Sequence, residues 1–333
     1  MKKWHYPFLL LLIVGTVIIL GRNRKEQDTY YTDSGFVFGT TYNITYRYSR
    51  DIEDDIKAAM LLVDGALSMF NDTSTISRIN RNEDIVVTGD TMFIKVFRRA
   101  LEISSLTHGA FDVTVAPAVN AWGFGFKNSS HITDSVIDSL LQLTGYTKIR
   151  EEDGRIVKDD PRIMLDCSAI AKGYGCDVVA DVLRGKGIGD FLVEIGGEMV
   201  ISGLNPKGGI WNIGVSQPDD DLTASSKQLN TILHLTDCAM ATSGNYRNFY
   251  EKDGIKYAHT IDPHTCRPVS HSLLSATVVA QDCATADALA TSFMVMGADS
   301  AVSLVKRMPE IQAYLLVATE DGIEPIDLLT VGR

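Results

Sequence analysis

The chain has 333 residues, 45% of them hydrophobic and 22% charged, which is an ordinary globular composition. That length supports a large core, as one big domain or two intimate lobes. The net charge of −11 argues against a nucleic-acid surface, so no nucleic-acid partner is expected, and an acidic chain that handles phosphates needs a cation locally.

Lys2 and Lys3 precede an apolar run over residues 6–21, and Arg22, Arg24 and Lys25 follow it. The run is short for a bilayer span and suits the apolar part of a secretion signal. No small-x-small cleavage site follows, and no cysteine stands there for lipidation. Residues 1–25 are therefore expected to be an export signal retained as an inner-membrane anchor. The rest of the chain would face the periplasm or cell exterior. Residues 26–34 are polar and are expected to be a linker, leaving residues 35–333 as the folded domain.

Residues 36–48 alternate and are rich in β-formers, which predicts a strand pair or one strand broken at Gly39. Residues 51–70 read as an amphipathic helix, with Ile52, Ile56, Met60, Val63 and Leu67 at helical spacing. Residues 71–80, NDTSTISRIN, are a polar loop running into a short helix. A second long helix is expected over 90–107, capped by Asp90 and ended by His108 and Gly109. Residues 109–126, GAFDVTVAPAVNAWGFGF, place Asp112, Asn120 and Trp122 among aromatics and glycines. That composition suits a flat aromatic ligand, and it equally suits a loop packed on a core.

A helix is expected over 133–143 and a hairpin over 146–165, turning at 151–155. In residues 166–177, DCSAIAKGYGCD, a strand is expected to end at Asp166. Ser168 would cap a helix running to about Leu183, with Lys172 near its start, and helix N-termini attract phosphate. Gly173 and Gly175 each cost about 1 kcal/mol against alanine in a helix, which implies a close approach there. Gly185, Gly187 and Gly189 follow a helix and precede a strand, the reverse of a dinucleotide loop, so they read as a turn. Further strands are expected on either side of Gly196 and Gly197 and over 211–218, 228–237 and 272–280. Hairpins turn at Asp253 and Gly254 and close the chain over 312–318 and 322–328. Hairpins dominate, so the expected fold class is α+β, with antiparallel-rich sheets and packed helices.

The five cysteines, at 167, 176, 238, 266 and 283, show neither CxxC nor zinc-type spacing. Each reads first as a small buried hydrophobe, with one or two disulfides left open. Residues 282–297, DCATADALATSFMVMG, carry the most pointed chemistry. Residues 284–296 favour a helix and contain no Gly or Pro. Asp287 and Thr291 then lie one turn apart on one face of an apolar helix. A buried carboxylate without a partner is expensive. Asp287 either caps or hydrogen-bonds backbone near a helix start, or it holds a hard cation with the Thr291 oxygen beside it.

Eight stretches occur together in one order: GTTY (39–42), STISRIN (74–80), GAFDVTVAPAVNAWGFG (109–125), DCSAIAKGYGCD (166–177), EIGGE (194–198), ATSGNYRN (241–248), HTIDP (259–263) and ADALAT (286–291). Singly each is weak, but the ordered set resembles the ApbE family of FAD:protein FMN transferases, from about residue 36 to 297. The resemblance implies an ApbE-like fold and a Mg²⁺-dependent transfer of FMN from FAD onto a Thr or Ser hydroxyl of a partner flavoprotein, with AMP leaving. It implies a metal held by the Ala169 carbonyl, Asp287 and Thr291. It places the flavin among Phe38, Phe70, Ala110, Phe111 and Asp112, and gives Asp166, Lys172, His259, Thr260 and Ile261 contacts with FAD.

Within that resemblance Lys172 and Mg²⁺ neutralise the pyrophosphate. His259 either takes the acceptor hydroxyl proton or braces the Asp262–Pro263 turn, and Asp112 is read also as a turn-forming residue. The partner is expected to be a subunit of a membrane redox complex. Two positions depart from the family: Phe38 stands where Met is common, and Cys266 replaces a usual Gly after HTIDP. A Mg²⁺-dependent FAD pyrophosphatase giving FMN and AMP, and a non-enzymatic FAD-binding protein, are the alternatives. Loss of Asp287, Thr291 or Lys172 would favour the latter, and all three are present.

Overall fold

A computed structural model describes residues 28–124, 132–216, 229–244, 249–252, 255–258 and 260–330. The expected export segment, residues 1–25, lies outside the described residues.

The frame is one antiparallel sheet whose eight strands lie side by side in chain order. They are β1 (Thr29–Val37), β2 (Thr40–Tyr48), β3 (Phe191–Ile195), β4 (Glu198–Ser202), β5 (Cys238–Gly244), β6 (Leu273–Ala280), β7 (Gln312–Thr319) and β8 (Gly322–Asp327). Residues expected as linker belong to β1: Thr29 pairs with Tyr48 and Ser34 with Asn43. Thr29, Tyr30, Tyr31 and Thr32 are strong strand formers, and that preference outweighs the segment's polarity. Phe38 and Gly39 make the turn to β2 with φ of 51° and 75°.

Seven helices occur among the described residues: α1 (Glu53–Leu67), α2 (Thr75–Asn80), α3 (Thr91–Leu106), α4 (Ala116–Ala121), α5 (Asp134–Leu143), α6 (Ser168–Gly185) and α7 (Cys283–Val305). Neighbouring residues on a strand face opposite sides, so one strand serves two cores. Val278 and Leu315 join the core that α3 and α7 fill with Phe93, Phe97, Leu289 and Phe293. Their neighbours Val279 and Leu316 point the other way, against the ribbon formed by Trp211–Ser216 and Leu229–Leu235. A separate core joins α1 and α6 to the β1–β4 end through Ile44, Ile56, Val179, Leu183 and Phe191.

Helix α7 is long and apolar enough to cross a membrane by length and composition. It is instead the central packed helix: Leu289, Phe293 and Met294 are fully buried, and each such side chain contributes about 1.5–3 kcal/mol by burial. Gly297, at φ 77°, breaks it into two segments, the first ending where the expected 284–296 helix ends. All five cysteines are free thiols, and all but Cys238 are buried.

Candidate active site

A cavity of about 1150 Å³ opens where the Gly196–Gly197 turn, the 110–124 loop, the start of α6, strand β5 and the middle of α7 converge. Helix α6 begins beside Asp166, whose Oδ1 accepts the Ser168 N–H at 2.7 Å. Asp166 therefore supports the helix start, where Ser168 was expected to cap, and residues 163–167 form no strand. The aspartate side chain precedes the first turn and reaches the Ser168 N–H, which the side chain of a serine inside the helix does not. Burial pushes the Asp166 carboxyl up, opposed by its bonds from Ser168.

Helix α7 is strapped down at its own start. Asp282 caps it by accepting the Thr285 N–H at 2.8 Å. Asp177 on α6 accepts the N–H groups of Cys283 and Ala284 at 2.8 and 2.9 Å. These bonds fix α7 against α6, and one turn further along Asp287 is only 2% exposed. Its Oδ2 accepts the Gly173 N–H across the helix crossing at 3.0 Å. The backbone bond allowed for Asp287 thus exists, but to the neighbouring helix and not to its own start. Its Oδ1 lies 3.7 Å from the Lys172 ammonium. Thr291, the next turn on, is 3.2 Å from the Ser243 hydroxyl of β5.

The glycines explain how the helices come so close. A Cβ on Gly173 would overlap the Cys283 carbonyl, and one on Gly175 would lie 2.6 Å from the Phe38 ring. That ring packs against both helix-covered cores and does not line the cavity. The left-handed turn at Phe38 and Gly39 swings it toward the space that Gly175 leaves.

Lys172 meets a second carboxylate. Its Nζ donates to Glu198 Oε1 at 2.7 Å. Glu198 is 4% exposed, and its Oε2 has no hydrogen-bond partner among the described residues. Burial and the like charge of Asp287 push Glu198 up, against the pull of Lys172. Burial alone would lower Lys172, but Asp287 and Glu198 outweigh it and hold the ammonium protonated.

Of the other expected site residues, Ala110, Phe111, Thr260 and Ile261 line the same cavity, as do Ala169, Lys172 and Thr291. Phe70 stands at its rim, 80% exposed. Asp112 lines it too, but both carboxyl oxygens accept backbone or hydroxyl bonds: Oδ1 from the Thr114 N–H and hydroxyl, Oδ2 from the Tyr146 N–H beyond α5 at 2.7 Å. Burial raises its pKa against those bonds. Cys266 adopts φ 51° where glycine is usual. Its carbonyl accepts the Trp122 indole N–H at 2.7 Å, which ties that turn to the 110–124 loop. His259 lies outside the described residues.

Glu198 and Ser243 are among the cavity residues that sequence reasoning did not assign. Each sits in a motif that it quoted; the only signal was a carboxylate directly after a Gly-Gly turn. Among the described residues no three of His, Cys, Asp and Glu cluster as metal ligands. The donors at hand are one carboxylate, two hydroxyls and the Ala169 backbone. That all-oxygen set fits a hard cation that completes its shell with phosphate and water.

Comparison with known proteins places this geometry. The ApbE family pattern matches residues 38–315. An FAD:protein FMN transferase of Vibrio cholerae is 36% identical, across 97% of this chain and 96% of that protein. One of Haemophilus influenzae is 34% identical, across 94% and 93%. The solved flavin transferase ApbE from Vibrio cholerae superposes with a TM-score of 0.80, covering 90% of this chain and 97% of that one. The apo flavinyl transferase ApbE of Pseudomonas stutzeri gives the same score at 29% identity, covering 92% and 99%. With matches over nearly its whole length, the chain belongs to the ApbE family.

Proposed function

We propose that this protein is a Mg²⁺-dependent FAD:protein FMN transferase, acting on a Thr or Ser hydroxyl of a partner flavoprotein. The observation that carries the proposal is the convergence of Asp287, Thr291, Lys172 and the Ala110–Asp112 stretch on one cavity. A cavity of about 1150 Å³ exceeds the usual size for a drug-like ligand and accommodates a dinucleotide.

Phe70 and Phe111 offer apolar surface for the flavin ring, and Thr260 and Ile261 line the same cavity. Lys172 neutralises pyrophosphate charge as the acceptor oxygen bonds to the FMN phosphorus and the bond to AMP breaks. His259 takes the proton that the acceptor hydroxyl releases. Asp287, Thr291 and the Ala169 carbonyl would hold Mg²⁺, which supplies further charge neutralisation at the phosphates. The Lys-flanked apolar run at residues 6–21 supports export, with the catalytic domain on the outer side of the inner membrane and a membrane redox subunit as acceptor.

The test is AMP release from FAD in the presence of an acceptor fragment. Release should need Mg²⁺ and stop with EDTA, with some FAD still bound. Undiminished turnover in EDTA would contradict the metal role.

A further inference from the structure

Glu198 spends its charge in an unusual way. It is buried at the cavity wall, one oxygen is bonded to Lys172 at 2.7 Å, and the other has no partner among the described residues. A buried carboxylate left half-satisfied is costly, so its hold on Lys172 is strong. The same ammonium stands 3.7 Å from Asp287 Oδ1, beyond direct hydrogen-bond distance. Asp287 Oδ2 is meanwhile occupied by the Gly173 N–H. Oδ1 is therefore the oxygen left for a cation, and Lys172 is its nearest competitor.

We infer that Glu198 is a positioning residue: it holds the Lys172 ammonium off Asp287 and so keeps Asp287 Oδ1 open to a divalent cation. The inference rests on the metal site of the proposed function. Without Glu198 at full reach, the ammonium closes onto Asp287 and forms a charge-assisted hydrogen bond that a metal must displace. The Gly-Gly turn serves the same end. Gly196, at φ 66°, lets the chain reverse tightly, and a Cβ there would lie 3.3 Å from Glu198 Oε2. The turn thus delivers the carboxylate at the first residue of β4, opposite Ile195.

The test measures Mn²⁺ binding to the FAD-free protein by electron paramagnetic resonance, with Mn²⁺ alone as probe. Glu198→Asp keeps the charge but withdraws the carboxylate by about 1.5 Å, one carbon–carbon bond. It should weaken Mn²⁺ binding about ten- to hundredfold, the range of a charged hydrogen bond. Adding Lys172→Met should restore at least wild-type affinity, because the competitor is gone. Glu198→Gln, alone and with Lys172→Met, should show the same loss and recovery, and this pair decides the matter if Glu198→Asp does not fold. Wild-type affinity in Glu198→Asp would mean that only charge matters and would overturn the inference. So would a double variant as weak as the single one. Equal Mn²⁺ binding by wild type and Asp287→Ala would instead overturn the metal site itself.

Discussion

Gly173→Ala is the sharpest structural perturbation the fold offers. Gly173 lies where α6 crosses α7, and its N–H holds Asp287, a carboxylate that lines the cavity. An added Cβ would overlap the Cys283 carbonyl oxygen, with the carbonyl carbon at 2.7 Å and the Asp287 Cβ at 2.8 Å. Relaxed carbon–carbon contacts need about 3.5–4 Å, so the helices must part by roughly 1 Å. The obstacles are backbone and a Cβ, so no rotamer change relieves the clash. Overpacking of this kind costs about 1–3 kcal/mol, and stretching the Gly173–Asp287 bond adds part of the roughly 1.5–3 kcal/mol of a charged hydrogen bond. Alanine's helix preference returns at most about 1 kcal/mol. The net loss is about 1–4 kcal/mol, a fall of roughly 2–6 °C in Tm for a fold of about 300 residues. Thermal unfolding by calorimetry reads the stability, and AMP release reads the site. A variant melting within about 1 °C of wild type with full turnover would refute the tight crossing and its role in placing Asp287.

Asp287→Asn keeps an oxygen for the Gly173 N–H, so it should fold normally and lose most Mg²⁺-dependent turnover. Asp287→Ala should lose turnover as well and also melt lower, because it leaves the buried Gly173 N–H unpaired at a cost of about 1–3 kcal/mol; normal turnover in either variant would remove Asp287 from the metal site. A reporter fused after Arg333 should be active only outside the cytoplasm, and activity confined to the cytoplasm would contradict export.

Much of this architecture is legible in local pattern. Asp90 ahead of a periodic run marks α3, and it caps that helix at Met92 and Phe93. The Asp287/Thr291 spacing puts both groups on one helix face, and both line the cavity. What local pattern does not carry is contact across chain distance. The Lys172–Glu198 pair joins a helix to a strand 26 residues on, and nothing in either motif announces the other. Gly173 and Gly175 signal a close approach, but only the fold shows that α7 and Phe38 make it. Phe38 was expected beside the flavin; in the fold its ring packs beside Gly175 and does not line the cavity. The strand Thr29–Val37 was hidden by its polar residues, because an edge strand needs few apolar side chains to pair.

The most direct measurement is the intact mass of an acceptor flavoprotein fragment after incubation with this protein, FAD and Mg²⁺. The acceptor should gain one FMN phosphoester, lost when its Ser or Thr is replaced by alanine, with one AMP released per molecule modified. An acceptor of unchanged mass, with FMN and AMP both free in solution, would contradict transfer and leave a hydrolase.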